Sequence, residues 1–272
     1  MTPSARFRPA PDLLRELGIT EPEDIDIEAI AQHCGATVIY QRLTGCDARI
    51  IGVNDTAVIT VNAAANRGRQ RFSAAHELAH WLRDAGQVAL VCDPERAFDE
   101  SSGLNPETRA NDYACQLILP RLMFEQRSVR MPMTFASVAA LADTFQTSLT
   151  ATAIRLVELG SFPAIVVGLF GDGLWFRRGP DVPTSLWPHP PGKPTFAWEL
   201  LHGTGGNGRG NVYAHEWVQG APFRHSIHED SCRIGPDLVL TLLWWTDEAA
   251  LAEIADRDER RFAQRSDWRE DD

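Results

Sequence analysis

The sequence predicts an α+β protein, and three features of its 272 residues lead to that prediction. Short runs rich in β-branched residues lie before residue 62, two amphipathic helical patterns follow between residues 71 and 120, and a second β-rich region begins after Ser161. These features divide the chain into three expected parts. They are a first domain over residues 1–132, two helices over residues 133–160, and a smaller α+β domain with a charged tail over residues 161–272.

The composition is that of a globular protein with an acidic surface. Hydrophobic residues make up 44% of the chain and charged residues 23%, and the formal net charge is −11. Non-specific binding to a nucleic-acid backbone requires a basic surface, so this charge argues against a protein that coats nucleic acid. The net charge of −11 does not exclude a local basic groove.

The N-terminus and the cysteines bear on the cellular compartment. The segment from Met1 to Phe7 has no apolar core of the kind found in a signal peptide, and no run in the chain approaches the roughly 18 apolar residues of a membrane span. The five cysteines are odd in number and show no paired spacing, which favours reduced thiols over a disulfide framework. We therefore expect a cytoplasmic protein with no membrane partner.

The N-terminal stretch predicts two short helices followed by a small sheet. Leucine and isoleucine recur at helical spacing over Asp12–Leu17 and Asp26–Cys34, and Gly18 and Gly35 are placed to end these helices. Three β-branched runs bounded by glycine, asparagine and aspartate follow, and they predict strands that lead into the next helix. The strands are expected at Ala36–Tyr40, Ala48–Ile51 and Ala57–Val61.

The segment Arg71–Arg83 carries the clearest chemical signal. It contains His76, Glu77 and His80 in the order His-Glu-x-x-His. Residues four apart share a face of an α-helix, so both imidazoles can reach one Zn²⁺ ion while Glu77 meets the attacking water. Ser73 is expected to cap the start of this helix. The alternative is an ordinary amphipathic helix whose histidines lie on one stripe by chance.

A third metal ligand is expected on the next predicted helix, Pro106–Pro120. A catalytic zinc site has three protein ligands and one open position. Glu107 and Asn111 lie one turn apart beside the apolar stripe of this helix. Glu107 is therefore the expected third ligand, and Asn111 is expected to orient a ligating histidine through its free ring nitrogen. The alternative for Glu107 is simply a favourable position at the positive end of the helix dipole.

Taken together, these residues match a known family. The sequence Arg-Phe-Ser-Ala-Ala-His-Glu-Leu-Ala-His over residues 71–80 is followed by Glu-x-x-Ala-Asn-x-Tyr-Ala-x-x-Leu-x-Leu-Pro over residues 107–120. This combination resembles the ImmA/IrrE family of bacterial zinc metallopeptidases. The resemblance covers about the first 160 residues, and Tyr113 stands where the family usually has phenylalanine.

The resemblance implies a fold and a function. The first domain would be a zincin-like, gluzincin-type peptidase with Zn²⁺ bound by His76, His80 and Glu107 and with Glu77 as the catalytic base. Such a peptidase cleaves a helix-turn-helix repressor and so derepresses stress, DNA-damage, mobile-element or phage-defence genes. Residues 133–160 would be a helix-turn-helix-like segment, and a GAF-like sensor domain would follow. An edge strand beside the metal would bind the substrate backbone as an added strand.

Two cysteines are candidates for an inhibitory thiolate. Cys92 lies in the stretch Asp84–Asn105, which is a loop by composition, and Cys46 lies in the turn before the second predicted strand. A thiolate is a good Zn²⁺ ligand, so either one could occupy the open position and hold the enzyme inactive. We favour inert loop thiols for both.

Residues 133–160 predict two short helices joined near Ser148, which is placed to cap the second. The second helix offers only Thr150, Thr152 and Arg155 as polar contacts, a poor set for phosphates and base edges. We therefore favour a structural role for this segment over DNA recognition.

The region after Ser161 predicts a hairpin over Ala164–Arg177, a later buried strand over Leu238–Trp245, and loops over residues 188–194 and 203–210. Aromatic and basic side chains there could stack on single-stranded nucleic acid or hold a small ligand, although surface polar groups and core aromatics are the favoured interpretation. The side chains concerned are His215, Trp217, Phe223, Arg224, His225 and His228.

The sequence thus leaves three functional hypotheses. The first is a regulatory zinc endopeptidase that cuts a helix-turn-helix repressor. The second is a DNA-binding transcriptional regulator that keeps the fold and no longer cuts, which the presence of His76, Glu77, His80 and Glu107 disfavours. The third is a peptidase that is activated by single-stranded DNA bound to the C-terminal domain.

Overall fold

The computed structural model describes residues 7–83, 89–91, 105–171, 173–203 and 206–256. As far as it describes them, the residues form two compact units: residues 1–127 with 140–152, and residues 128–139 with 153–272. Each unit contains a β-sheet and helices. The expected α+β class is confirmed, with a β-rich region following the first sheet and its helices.

The first unit is built on a four-stranded mixed sheet. Its order is β1-β3-β2-β4, with β1 parallel to β3 and the other neighbours antiparallel. The β2–β3 hairpin turns at Asn54, whose φ of 56° is one that asparagine tolerates better than most residues. The three predicted strands are confirmed, and the fourth lies in a stretch predicted to be a loop. The strands are β1 (Ala36–Gln41), β2 (Ala48–Val53), β3 (Thr56–Asn62) and β4 (Ala89–Val91).

The helices before residue 130 include the two predicted at the N-terminus. Asp26 caps the second of these, because its side chain accepts the backbone N–H of Ala29 at 3.0 Å. Gly18 and Gly35 follow the two helices with positive φ angles of 69° and 79°, as expected for residues that end a helix. The helices are α1 (Ala10–Glu16), α2 (Ile27–His33), α3 (Arg67–Arg83), α4 (Pro106–Ile118) and α5 (Arg121–Ser128).

Helix α3 packs against the sheet and against α4. Ile50 and Ile59, which are paired across β2 and β3, are buried, and so is Leu78 of the helix. Gly52 on β2 lies so close to Trp81 that an added Cβ would come within 2.6 Å of the indole ring. The position of α3 is therefore set by close packing on the strands.

Helix α3 begins earlier than predicted. Its first turn is capped by Asn66, whose side-chain oxygen accepts the backbone N–H of Arg69 at 2.9 Å. Ser73, predicted to be the cap, is buried within the helix, so that prediction is wrong. The apolar positions of this helix begin at Phe72, and the polar turn Arg67–Gln70 therefore gave no periodic signal.

The predicted pair of helices in the middle of the chain is present as α6 (Phe135–Phe145) and α7 (Leu149–Leu159). Gln146 in the connection has a φ of 53°. The side chain of Ser148 accepts the backbone N–H of Ala151 at 3.1 Å, which confirms the predicted cap of α7.

The second unit contains a five-stranded antiparallel sheet with the order β6-β5-β9-β8-β7. The predicted hairpin and buried strand are confirmed, whereas β7 begins inside a predicted loop and α8 was not predicted. Its core includes Ile165, Leu243 and Trp217. No helix in the described part of the chain is long and apolar enough to span a bilayer. The elements are β5 (Ala164–Phe170), β6 (Gly173–Arg178), α8 (Phe196–His202), β7 (Gly208–Tyr213), β8 (Ser226–Arg233) and β9 (Val239–Trp244).

Candidate metal centre

Two packed helices bring together the three side chains that the sequence indicated as metal ligands. His76 and His80 lie one turn apart on α3, and Glu107 lies in the first turn of α4. Asn105 caps that turn, because its side chain accepts the backbone N–H of Glu107 at 3.0 Å. The cap and the packing of α4 on α3 together place the Glu107 carboxylate beside the histidines.

The donor atoms of these side chains are close to one another. Nε2 of His76 lies 3.1 Å from Oε2 of Glu107 and 3.1 Å from Nε2 of His80. Nε2 of His80 lies 3.4 Å from Oε1 of Glu107. The three residues form one group of potential metal ligands whose donor atoms all lie within 4.8 Å of one another.

The surroundings of the group are mostly buried. The exposed fraction is 1% for the side chain of His80, 9% for that of His76 and 21% for that of Glu107. Hydrogen bonds with His76 and, to a smaller extent, His80 hold the pKa of the Glu107 carboxyl well below its ordinary value. Glu107 is therefore ionised at neutral pH, which is the form in which a carboxylate binds a metal.

The spacing and the chemistry of the donors fit Zn²⁺. Tetrahedral coordination with bonds of about 2.0–2.2 Å places two ligand atoms about 3.3–3.6 Å apart. The shortest donor-to-donor distances here are 3.1, 3.1 and 3.4 Å. Two imidazoles and one carboxylate are also a donor set of catalytic zinc sites that keep a fourth position open. The residues present thus suit the ion that the motif implies.

Glu77, the expected catalytic base, follows His76 on α3 and is only 1% exposed. Its carboxylate is not one of the donors in the group of three. The role of Glu77 as the base stays a prediction.

Asn111 lies one turn beyond Glu107 on α4 and is half-buried. Nδ1 of His76 is buried and has no hydrogen-bond partner among the residues that the structure describes. Asn111 therefore does not orient His76 through that atom. An orienting contact between Asn111 and His80 stays a prediction.

Sequence reasoning gave no role to Arg69 and Asp47, two residues that are linked to His76 through Phe72. The ring centroid of Phe72 lies 6.2 Å from that of His76, and the guanidinium carbon of Arg69 lies 5.9 Å from the Phe72 ring centroid. Arg69 in turn donates two hydrogen bonds to Asp47. The spacing of Arg69, Phe72 and His76 along one face of α3 is a signal that could have indicated this arrangement.

One of the two cysteines considered as inhibitory ligands lies among the described residues. Cys46 is a half-buried free thiol in the connection between β1 and β2. Cys92 lies outside the described residues. Inhibition by either thiolate stays a prediction.

Two of the three polar residues considered on α7 form local contacts. Thr152 is fully buried, and its hydroxyl donates to the carbonyl of Ser148 at 2.9 Å. Arg155 donates to Glu158 of the same helix at 3.0 Å. These contacts fit a structural role for α7 better than recognition of base edges.

The aromatic and basic residues of the second unit differ in exposure. Trp217 is fully buried, and its indole N–H donates to Glu229 at 3.0 Å, so this ring is a core residue and not a stacking surface. Phe223 is 78% exposed, with its ring centroid 4.3 Å from that of His215. Arg224 forms an ion pair with Glu253.

Comparisons with known proteins bear on the same part of the chain. Residues 31–157 match a family model described as Peptidase_M78: IrrE N-terminal-like domain. Among solved structures, the chain resembles one described as a Mycobacterium tuberculosis transcriptional regulator, with a TM-score of 0.59, 16% identity, and coverage of 86% of this chain and 85% of that one. At this identity the likeness concerns the fold alone. No curated protein matches the sequence. Residues 31–157 are therefore similar to the IrrE N-terminal-like domain of the Peptidase_M78 family.

Proposed function

We propose that the chain is a zinc-dependent endopeptidase that cleaves a helix-turn-helix transcriptional repressor in the cytoplasm and so derepresses stress, DNA-damage or phage-defence genes. The observation that carries this proposal is the convergence of His76, His80 and Glu107, whose donor atoms lie within 4.8 Å of one another. The Peptidase_M78 match supports the reaction class. The repressor substrate rests on the resemblance to the ImmA/IrrE family.

The mechanism assigns one role to each residue. His76, His80 and Glu107 would hold the ion, since their donor atoms face one another. Zn²⁺, when bound, polarises the scissile carbonyl and lowers the pKa of water toward neutrality. Glu77 accepts the proton of the attacking water and passes it to the departing amine. The burial of Glu77 and His80, each 1% exposed, strengthens these electrostatic interactions because little solvent screens them.

The test uses the full chain, loaded with Zn²⁺, and as substrate a helix-turn-helix repressor encoded by a neighbouring gene. Glu77→Gln keeps the shape of the side chain and removes its basicity. We expect this variant to bind Zn²⁺ as the wild type does and to lose cleavage by at least about 100-fold. The fragments are followed by mass spectrometry.

The matched control is His33→Ala, because His33 is a histidine on α2 whose side chain is 42% exposed and lies outside the group of three. This variant should cleave at the wild-type rate. Full activity of Glu77→Gln, or a wild type that binds no Zn²⁺, would refute the proposal.

A second candidate is a transcriptional regulator that binds DNA without cutting. The description of the similar solved structure as a transcriptional regulator is the observation in its favour. The burial of Thr152 and the pairing of Arg155 with Glu158 speak against it. Binding of operator DNA that is lost in Arg155→Ala would favour this candidate over the peptidase.

A third candidate adds an activator to the peptidase. The exposed ring of Phe223 beside His215 is a surface on which a base of single-stranded DNA could stack. Cleavage measured with and without a single-stranded oligonucleotide tests this. A rate that rises with the oligonucleotide in the wild type and not in Phe223→Ala would support the activator.

A further inference from the structure

We infer that Phe72 is a positioning residue that holds the His76 imidazole in the orientation required for metal binding, and that Arg69, fixed by Asp47, supports Phe72 from its other side. This role rests on the proposed function, because it concerns the same candidate metal centre. It assigns to packing a task that a hydrogen bond usually performs.

The first step concerns the free nitrogen of His76. A metal-ligating histidine ordinarily donates its second ring N–H to a fixed acceptor, which sets the tautomer and the ring orientation. Nδ1 of His76 is buried and finds no such acceptor in the described part of the chain. Apart from the contacts of Nε2 with Glu107 and His80, the described residues contact this ring through aromatic packing.

The second step identifies the packing partners. Phe72 precedes His76 by one helical turn on α3, so the two side chains share a face. Their ring centroids are 6.2 Å apart with the planes tilted by 33°. The ring of His80 lies on the His76 imidazole edge-on, at 4.8 Å and 74°. Aromatic pairs at such separations favour particular relative orientations, so contact with two rings restricts rotation of the His76 side chain.

The third step explains what holds Phe72. The guanidinium carbon of Arg69 lies 5.9 Å from the Phe72 ring centroid, a distance at which a cation and a ring attract each other. Nε and Nη2 of Arg69 donate to Oδ2 of Asp47 at 2.8 and 2.6 Å. The carbonyl of Asp47 accepts the backbone N–H of Asn62 at the end of β3. A continuous column of contacts thus runs from the sheet to His76.

The experiment compares Phe72→Leu with Phe72→Tyr in the full chain. Zn²⁺ affinity is measured by competition with a chromogenic chelator, and the visible absorption spectrum is recorded with Co²⁺ in place of Zn²⁺. We expect Phe72→Leu to bind Zn²⁺ about three- to tenfold more weakly and to change the shape of the Co²⁺ spectrum. Phe72→Tyr, which keeps the ring, should restore both. Phe176→Leu removes a half-buried ring of the second unit and should change neither.

The outcomes separate this role from the proposed function. A wild type that binds Zn²⁺ and cleaves, with unchanged affinity and spectrum in Phe72→Leu, overturns the role of Phe72 and leaves the proposed function standing. A wild type that binds no Zn²⁺ overturns both. If circular dichroism shows that Phe72→Leu does not fold, Arg69→Met replaces it as the test variant. We expect that variant to weaken Zn²⁺ binding about two- to fivefold, and unchanged binding overturns the role.

Discussion

Oε2 of Glu107 lies 3.1 Å from Nε2 of His76, although 31 positions separate the two residues in the sequence. The contact joins α3 to the first turn of α4, where Asn105 caps the helix. Hydrogen bonds with both histidines lower the pKa of the Glu107 carboxyl, so an anion faces two imidazoles in a mostly buried setting. A divalent cation fits this arrangement, because two imidazole nitrogens and one carboxylate can coordinate it and its charge offsets that of the carboxylate.

Glu107→Gln should weaken Zn²⁺ binding by more than about 100-fold, because loss of a ligand costs more than loss of the outer partners, which costs about 10- to 100-fold. Isothermal titration calorimetry measures the affinity. Glu125→Gln is the matched control, since Glu125 lies on α5 in an ion pair with Arg121 and outside the group of three. A loss of less than tenfold in Glu107→Gln would argue against ligation by this residue.

Zn²⁺ should stabilise the folded chain by mass action. At a free concentration about 100 times Kd, the expected gain is about 2.7 kcal/mol, or about 5–10 °C in the thermal midpoint of the transition that includes the first unit. His80→Ala should remove this shift, whereas His33→Ala should keep it. Equal zinc-induced shifts in the wild type and His80→Ala, recorded by differential scanning calorimetry, would contradict the assignment.

Gly52→Ala should destabilise the first unit by about 1–3 kcal/mol, because the new Cβ would meet the buried Trp81 ring at 2.6 Å. Gly206→Ala is the matched control, since nothing lies within 4 Å of a Cβ built there. It should change stability by no more than about 0.5 kcal/mol. The two variants are compared by their urea midpoints. Equal midpoints would show that the Trp81 side chain shifts to accommodate the added methyl group at little cost in free energy.

Ser148→Ala should cost about 1 kcal/mol, because the backbone N–H of Ala151 loses the side-chain oxygen that caps α7. Thr144→Ala serves as the control. The Thr144 hydroxyl donates to the carbonyl of Ala140 within α6, a bond that adds little to a helix interior. A urea midpoint for Ser148→Ala that matches that of Thr144→Ala would show that the cap contributes nothing measurable.

Burial raises the pKa of Glu229, although Trp217, Ser231 and Ala197 donate hydrogen bonds to its carboxyl. An acid whose pKa is higher in the folded state binds more protons there, so its contribution to the free energy of unfolding falls as pH rises above the ordinary glutamate value of about 4.3. Glu229→Gln has no such titration. The stability of the wild type relative to this variant should therefore decrease between about pH 4 and the folded pKa. A relative stability that increases over that range, in denaturant titrations, would contradict the direction of the shift.

Much of the first sheet and of the candidate site could be predicted because their signals are local. The β-branched runs at β1, β2 and β3 alternate with turn residues, and the spacing of His76 and His80 needs only the period of a helix. Glu107 was identified on the next helix from its place beside an apolar stripe. Its approach to within 3.1 Å of His76 depends on the packing of α3 and α4, which no local pattern specifies.

The elements that were missed lack such a signal. The start of α3 is polar, β4 has only three residues within a stretch that has the composition of a loop, and β7 begins in another such stretch. The contacts of Asp47, Arg69 and Phe72 link positions far apart in the sequence. The hydrogen bonds between Arg69 and Asp47 join positions 22 residues apart, and no local pattern indicates them. Long-range pairs of this kind are decided by tertiary packing rather than by propensity.

The three donors come from two helices, and this division affects how quickly an ion would be exchanged. The pair on α3 is fixed by the geometry of one helix, whereas Glu107 reaches it only while α4 stays packed on α3. A brief separation of the two helices would leave the ion bound to only His76 and His80. The ion would dissociate from these two ligands much faster than from all three. The rate at which the ion is exchanged would then depend on how often α3 and α4 separate. Such a local opening has a lower free-energy cost than global unfolding.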